Sequence, residues 1–222
     1  MLERLEYFYR LVRMRPRRYR HLLRAVYGTR AGTIVEIGVF DGKHARQMIE
    51  TAAIFRPRQE IEYFGFDLFE LLSETELVKE HSKRPPPCEV VRSGLVSTGA
   101  RIKLYMGYTR DTLPEFVAKI GRSKRIDFVF IDGGHAVDTI RFDWGCVLEV
   151  MSDTTVVIFD DYYENSELQV EGIGCRSIVD GLDRDEFDVE MLSPRDSFPK
   201  EWGTQHTRMV LVTKRRTDGP PS

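Results

Sequence analysis

No stretch of this chain holds the roughly 18 to 20 consecutive apolar residues of a membrane span. The first twenty residues, MLERLEYFYRLVRMRPRRYR, interleave charge with apolar side chains and build no leader-like apolar core. The expectation is a cytoplasmic protein that is neither membrane-embedded nor exported. Cysteine is scarce: Cys88, Cys146 and Cys175 are odd in number, scattered and without a CxxC pair, which argues against a disulfide framework and a zinc site. A bias toward charge of one sign is lacking as well. The formal net charge of −2 gives no overall pull toward phosphate backbones or anionic surfaces. Nor is there a basic stripe interleaved with aromatics, which a base-flipping enzyme would need. The expected partner is a small molecule, not nucleic acid or membrane, with a homo-oligomer left open. The local exception is the run Arg13, Arg15, Arg17, Arg18 and Arg20. It reads either as a solvated helix end around Pro16 or as an anion or substrate cap.

What the chain does have is a repeated pairing of a short apolar run with a longer segment of helical spacing, the pattern of a parallel sheet flanked by helices. Its 222 residues suit one domain: a helical cap over 1–30, an α/β domain over 31–216 and a frayed tail over 217–222. Strands are expected at 33–38, 61–66, 101–106, 126–131 and 154–159. Helices are expected at 43–55, 76–81, briefly after the prolines at 85–87, and at 109–120, 137–150 and 176–181. Two further extended runs, 187–192 and 207–213, are joined by a stretch rich in Pro, Ser and Gly that is too short for a full helix. A hairpin is the economical reading, and it puts an antiparallel strand into an otherwise parallel sheet.

Ligands of such sheets bind beyond the carboxyl ends of the strands, so the residues that end each strand are the candidates. The first strand ends in Glu36-Ile37-Gly38-Val39-Phe40-Asp41-Gly42. Gly38 lets a ligand approach the backbone and Gly42 opens the next helix. The dinucleotide fingerprint is absent, because Phe40 stands where its middle glycine belongs and would crowd a pyrophosphate. Asp67, 29 positions beyond Gly38, reads either as an acceptor for ribose hydroxyls or as a helix N-cap. Glu36 reads as a cofactor acid or as a structural acid bonding loop amides. Gly107 and Tyr108 end the third strand, where they could flank an adenine.

Four stretches, Val35–Gly42, Tyr63–Glu70, Ile131–His135 and Phe159–Tyr162, resemble class I S-adenosylmethionine-dependent methyltransferases. Among these the chain is most similar to the group of macrocin O-methyltransferase and its cephalosporin-biosynthesis relatives. The resemblance implies a doubly wound seven-stranded sheet in the order 3-2-1-4-5-7-6 with the seventh strand antiparallel. It implies S-adenosylmethionine as cofactor, with Glu36, Gly38, Asp67 and Asp132 around it; Asp41, Gly42, Leu68, Gly107 and Tyr108 complete the expected cofactor site. The pattern departs from many relatives at Gly134, where they carry an acid.

Asp132 ends the fourth strand with His135 three residues on, and Asp160-Asp161 end the fifth. Three carboxylates on one rim repel one another, so a divalent cation is a natural neutraliser, and oxygen ligands favour magnesium. The catechol-methylating branch of the superfamily, which the chain resembles here, implies metal binding by Asp132, Asp160 and Asp161 and a general base at His135. Without a metal, His135 could orient a loop and the aspartate pair could cap the segment that follows. The function expected is O-methylation of a hydroxyl on a sugar, glycoside or other polar natural-product intermediate. The alternatives are a nicotinamide-dependent oxidoreductase and a non-catalytic S-adenosylmethionine-binding paralogue.

Overall fold

Runs of β-branched and aromatic residues suit strands that are buried on both faces. In the computed structural model, which describes residues 2–79, 83–120, 124–164, 172–200 and 203–215, five such runs lie parallel. They are β1 (Thr33–Ile37), β2 (Glu62–Asp67), β3 (Arg101–Met106), β4 (Phe128–Ile131) and β5 (Val156–Tyr163), in the order β3-β2-β1-β4-β5. β6 (Phe187–Met191) and β8 (Gly203–Lys214) complete the sheet, with β8 running antiparallel between β5 and β6. This is the expected order, with β8 in the place of the seventh strand. The Pro-, Ser- and Gly-rich connection is more regular than a loop: β7 (Asp196–Lys200) pairs with the first half of β8. Pro199 fits there because β7 is an edge strand, where a missing N–H costs no ladder bond. The tail at 217–222 and the end of the helix expected at 76–81 lie outside the described residues.

The period-2 alternation of the strands divides the core between two faces. Ile34, Phe128, Phe130 and Ile158 pack beneath α2 (Arg20–Thr29), α3 (Lys43–Ala52) and α5 (Cys88–Val96). Val35, Ile37, Val129, Ile131, Val157 and Phe159 pack beneath α6 (Thr109–Ile120), α7 (Val137–Val150) and α8 (Arg176–Asp180). Within the first thirty residues, α1 (Leu2–Arg13) lies outermost, its Tyr7 stacked on Tyr27. α2 instead sends Leu22 and Val26 into the same cluster as β1 and β4, each burial worth roughly 1.5 to 3 kcal/mol. α4 (Glu74–Lys79) starts with a capping box, since the Glu76 N–H donates to Ser73 Oγ at 3.2 Å and the Ser73 N–H donates back to Glu76 Oε2 at 3.2 Å. Among the described residues no helix is long and apolar enough to cross a membrane.

Candidate active site

A cavity of about 800 Å³ opens at the carboxyl ends of β1 to β5. Gly38, Asp41, Asp67, Leu68, Gly107, Tyr108, Asp132, His135, Asp160 and Asp161 all line it. Glu36 and Gly42 are not part of its wall. Glu36 is buried behind the strand end, where the Tyr63 hydroxyl donates to its Oε2. Burial pushes its carboxyl up to about 8, with the Tyr63 hydrogen bond pulling the other way. Gly42 is the N-cap of α3 and lies against Val91 of α5. Gly38 brings β1 and β4 together: its φ is +92°, and a Cβ there would lie 2.0 Å from the Asp132 carbonyl oxygen. Only glycine lets the two strand ends meet this closely.

On the β1 to β3 side, Asp67 is held from both sides. The Phe40 N–H donates to its Oδ2 at 2.8 Å and the Phe69 N–H to its Oδ1 at 2.9 Å. The carboxylate thereby links the β1 turn to the end of β2, and each oxygen keeps a lone pair for a ligand hydroxyl. Tyr108 stands exposed at the mouth, hydrogen-bonded to Glu76 with Arg110 5.1 Å from its ring centroid. The capped start of α4 is thus tied to the end of β3.

The β4 to β5 side depends on an irregularity. Between Phe159 and Tyr162, β5 advances three residues while its partner β8 advances two, from Val210 to Arg208. Asp160 and Asp161 sit in this bulge, and Asp161 has φ +58°. A bulge re-aims the side chains it contains, and here it sends the two neighbouring carboxylates to different partners. Asp160 is buried and receives Arg18: Nε donates at 2.9 Å to Oδ1 and Nη2 at 3.0 Å to Oδ2. Asp161 receives His135, whose Nε2 lies 2.9 Å from Oδ2. One donor atom each from Asp132, His135 and Asp161 falls within 4.8 Å of the others. Burial and the neighbouring aspartates push the Asp132 carboxyl well above the ordinary range. Burial would also raise Asp161, but the hydrogen bond and charge of His135 hold it low. The cluster therefore favours an added positive charge, either a proton or a cation.

A strap of backbone steadies these strand ends. The Gly174 N–H donates to the His135 carbonyl at 2.7 Å, the Cys175 N–H to the Asp161 carbonyl at 3.1 Å, and the Val137 N–H to the Gly172 carbonyl at 2.9 Å. Residues 172–175 thus bridge the tails of β4 and β5.

Arg18, Tyr19 and His44 are among the wall residues that a reading confined to strand ends misses. Arg18 lies in a 3-10 turn, Arg17–Tyr19, between α1 and α2. Its Nη1 also donates to Asp196 of β7 at 2.7 Å, and its Nη2 to the Tyr19 hydroxyl at 3.0 Å. Tyr19 stacks on His44 at 4.0 Å between ring centroids. Burial lowers His44 to about 4, so it is neutral at pH 7. The arginine run did carry a signal, but nothing in its spacing singles out Arg18 as the one that turns inward.

The sheet order, the antiparallel β8 and a cavity at the strand ends define a Rossmann-like α/β fold of the methyltransferase type. Residues 35–162, more than half of the chain, match the family described as Methyltransferase domain, and the chain belongs to that family. Among solved structures, it is similar to the O-methyltransferase TomG from Streptomyces achromogenes, involved in tomaymycin synthesis and solved in complex with SAM. The TM-score is 0.63 at 15% identity, over 93% of this chain and 82% of that one. An O-methyltransferase from Bacillus cereus, solved in complex with SAH, matches with a TM-score of 0.59 at 16% identity, over 90% and 82% of the two chains. Cofactor-bound Rv0187 from MTB matches with a TM-score of 0.59 at 15% identity, over 92% and 82%. At these identities the likeness is one of fold. No curated protein matches the chain.

Proposed function

We propose that this protein transfers a methyl group from S-adenosylmethionine to a hydroxyl of a small polar metabolite, a sugar, glycoside or natural-product intermediate of the kind the macrocin group modifies. The observation that carries this reading is the convergence of Asp132, His135 and Asp161 within 4.8 Å, on the wall of a cavity that Asp67 lines on its other side. The SAM and SAH in the TomG and Bacillus cereus structures support the choice of cofactor. In this assignment Asp67 accepts the ribose hydroxyls, Gly38 lets the ligand approach the backbone, and Tyr108 stacks beside the adenine. Asp41, Leu68 and Gly107 complete that wall. Glu36 and Gly42 act from behind it by shaping the turn.

The cofactor supplies an electrophilic methyl group, so the protein's task is to hold the acceptor in line and remove its proton. His135 takes that proton. Its Nε2 faces Asp161 Oδ2 at 2.9 Å, so the carboxylate orients the ring and stabilises the imidazolium that forms. The donor set also fits a divalent cation, magnesium in our reading: Asp132 and Asp161 would hold it, with His135 beside them and Asp160 behind, neutralised by Arg18. Such an ion would supply Lewis acidity toward the acceptor hydroxyl. Activity that survives chelation would leave the His135–Asp161 pair as the whole acid–base apparatus.

The test is a panel of hydroxylated acceptors assayed for methyl transfer with and without magnesium. His135→Ala should lower turnover by roughly 10² to 10⁴ and leave S-adenosylhomocysteine affinity nearly unchanged. Unaltered turnover would remove His135 from the mechanism. Cofactor binding with no transfer to any acceptor, metal present, would favour a non-catalytic role.

A further inference from the structure

α1 is apolar on two opposite sides, and the protein uses only one of them. Tyr7, Leu11 and Met14 face inward and pack with Leu23 and Tyr27. On the far side, Leu5, Phe8, Tyr9 and Val12 recur at i, i+3, i+4 and i+7, one helical stripe, and are 61%, 57%, 59% and 68% exposed. Four large apolar side chains in one solvent-facing line are the mark of an interface rather than of scattered surface residues. The helix is firmly based, since Arg10 pairs with Glu50 of α3 at 2.8 Å.

We propose that this face pairs with the same face of a second copy of the chain, α1 against α1 and antiparallel about a two-fold axis. The argument for a second copy is the charge beside the stripe. Glu6 and Arg13 are seven residues apart, two helical turns, so they lie on the same edge of the stripe, with a carboxylate toward one end and a guanidinium toward the other. A two-fold axis through the middle of the stripe sets Leu5 against Val12 of the partner subunit and Phe8 against Tyr9 of the partner subunit. The same operation sets Glu6 near Arg13 of the partner subunit, twice. An isologous contact requires this kind of self-complementarity.

Sedimentation velocity of the full chain across a concentration series tests the proposal. The expected result is a dimer, weakened roughly tenfold or more by Phe8→Glu or Val12→Glu, each of which places an unpaired charge in the contact. Circular dichroism and S-adenosylhomocysteine binding, both expected unchanged, report that each variant folds. Glu6→Arg and Arg13→Glu should each weaken the dimer by like-charge contact, and the double exchange should restore it. A chain that is monomeric at every concentration overturns the proposal, as does a dimer indifferent to Val12→Glu. So would a monomer that co-sediments with vesicles of phosphatidylserine and phosphatidylcholine. None of these outcomes bears on the methyl-transfer assignment, because α1 contributes nothing to the cavity wall.

Discussion

Glu36 illustrates how one buried group makes the fold sensitive to pH. Its carboxyl, ordinarily near 4.5, is pushed up to about 8 by burial, so the folded chain keeps a proton that the unfolded chain gives up above pH 4.5. Its contribution to stability is complete below pH 4.5 and is lost as the pH rises through about 8, a change on the order of 5 kcal/mol. Glu36→Gln should therefore flatten the decline in Tm between pH 5 and 8, measured as the difference between wild type and variant; identical profiles would place the proton elsewhere. Asp67 is held by two backbone N–H groups and keeps lone pairs to spare. Asp67→Ala should weaken S-adenosylhomocysteine binding roughly ten- to hundredfold by calorimetry, the loss of hydrogen bonds to a charged acceptor worth about 1.5 to 3 kcal/mol. An unchanged affinity would exclude the ribose assignment.

At the scale of elements, the site depends on β5 being irregular. Strict alternation would point Asp160 and Asp161 to opposite faces of the sheet; with the bulge both line the cavity, one held by Arg18 and the other by His135. The strap at 172–175 holds that arrangement through carbonyl oxygens, independently of side-chain identity. Gly174 is its critical residue: φ is +80°, and a Cβ would lie 2.5 Å from the Asp161 carbonyl oxygen. Gly174→Ala should cost about 1 to 3 kcal/mol of stability in urea denaturation. It should also lower kcat by a larger factor than it changes cofactor affinity, because the strap touches the His135 and Asp161 tails and not the Asp67 side. Equal losses in both would mean that the strap supports the whole cavity.

For the molecule as a whole, Arg18 is the tie between parts far apart in sequence. It joins the turn between α1 and α2 to Asp160 on β5 and to Asp196 on β7, and it is itself buried. Removing one member of such a pair leaves a buried charge uncompensated. Arg18→Gln should destabilise the chain by about 3 to 5 kcal/mol in urea denaturation, and adding Asp160→Asn should recover part of that loss. A cost below about 1 kcal/mol would show that Asp160 finds water or a proton instead.

Much of this was legible in the sequence because it follows from local pattern. Apolar runs at 33–38, 61–66 and 126–131 read as strands and form β1, β2 and β4, and the rule that ligands gather at strand ends singled out Gly38, Asp67, Asp132 and His135, which line the cavity. The order of the sheet followed from resemblance and was met. What only the tertiary structure decided were the contacts made across long sequence separations. Arg18 meets Asp160 across 142 positions, and five nearby arginines look alike to any local reading. The bulge at Asp160-Asp161 depends on register against β8, and β7 forms because the long β8 offers its first half a partner. Propensity and periodicity act over a few residues, whereas pairing register and burial of a charge are settled only when distant segments compete for the same space.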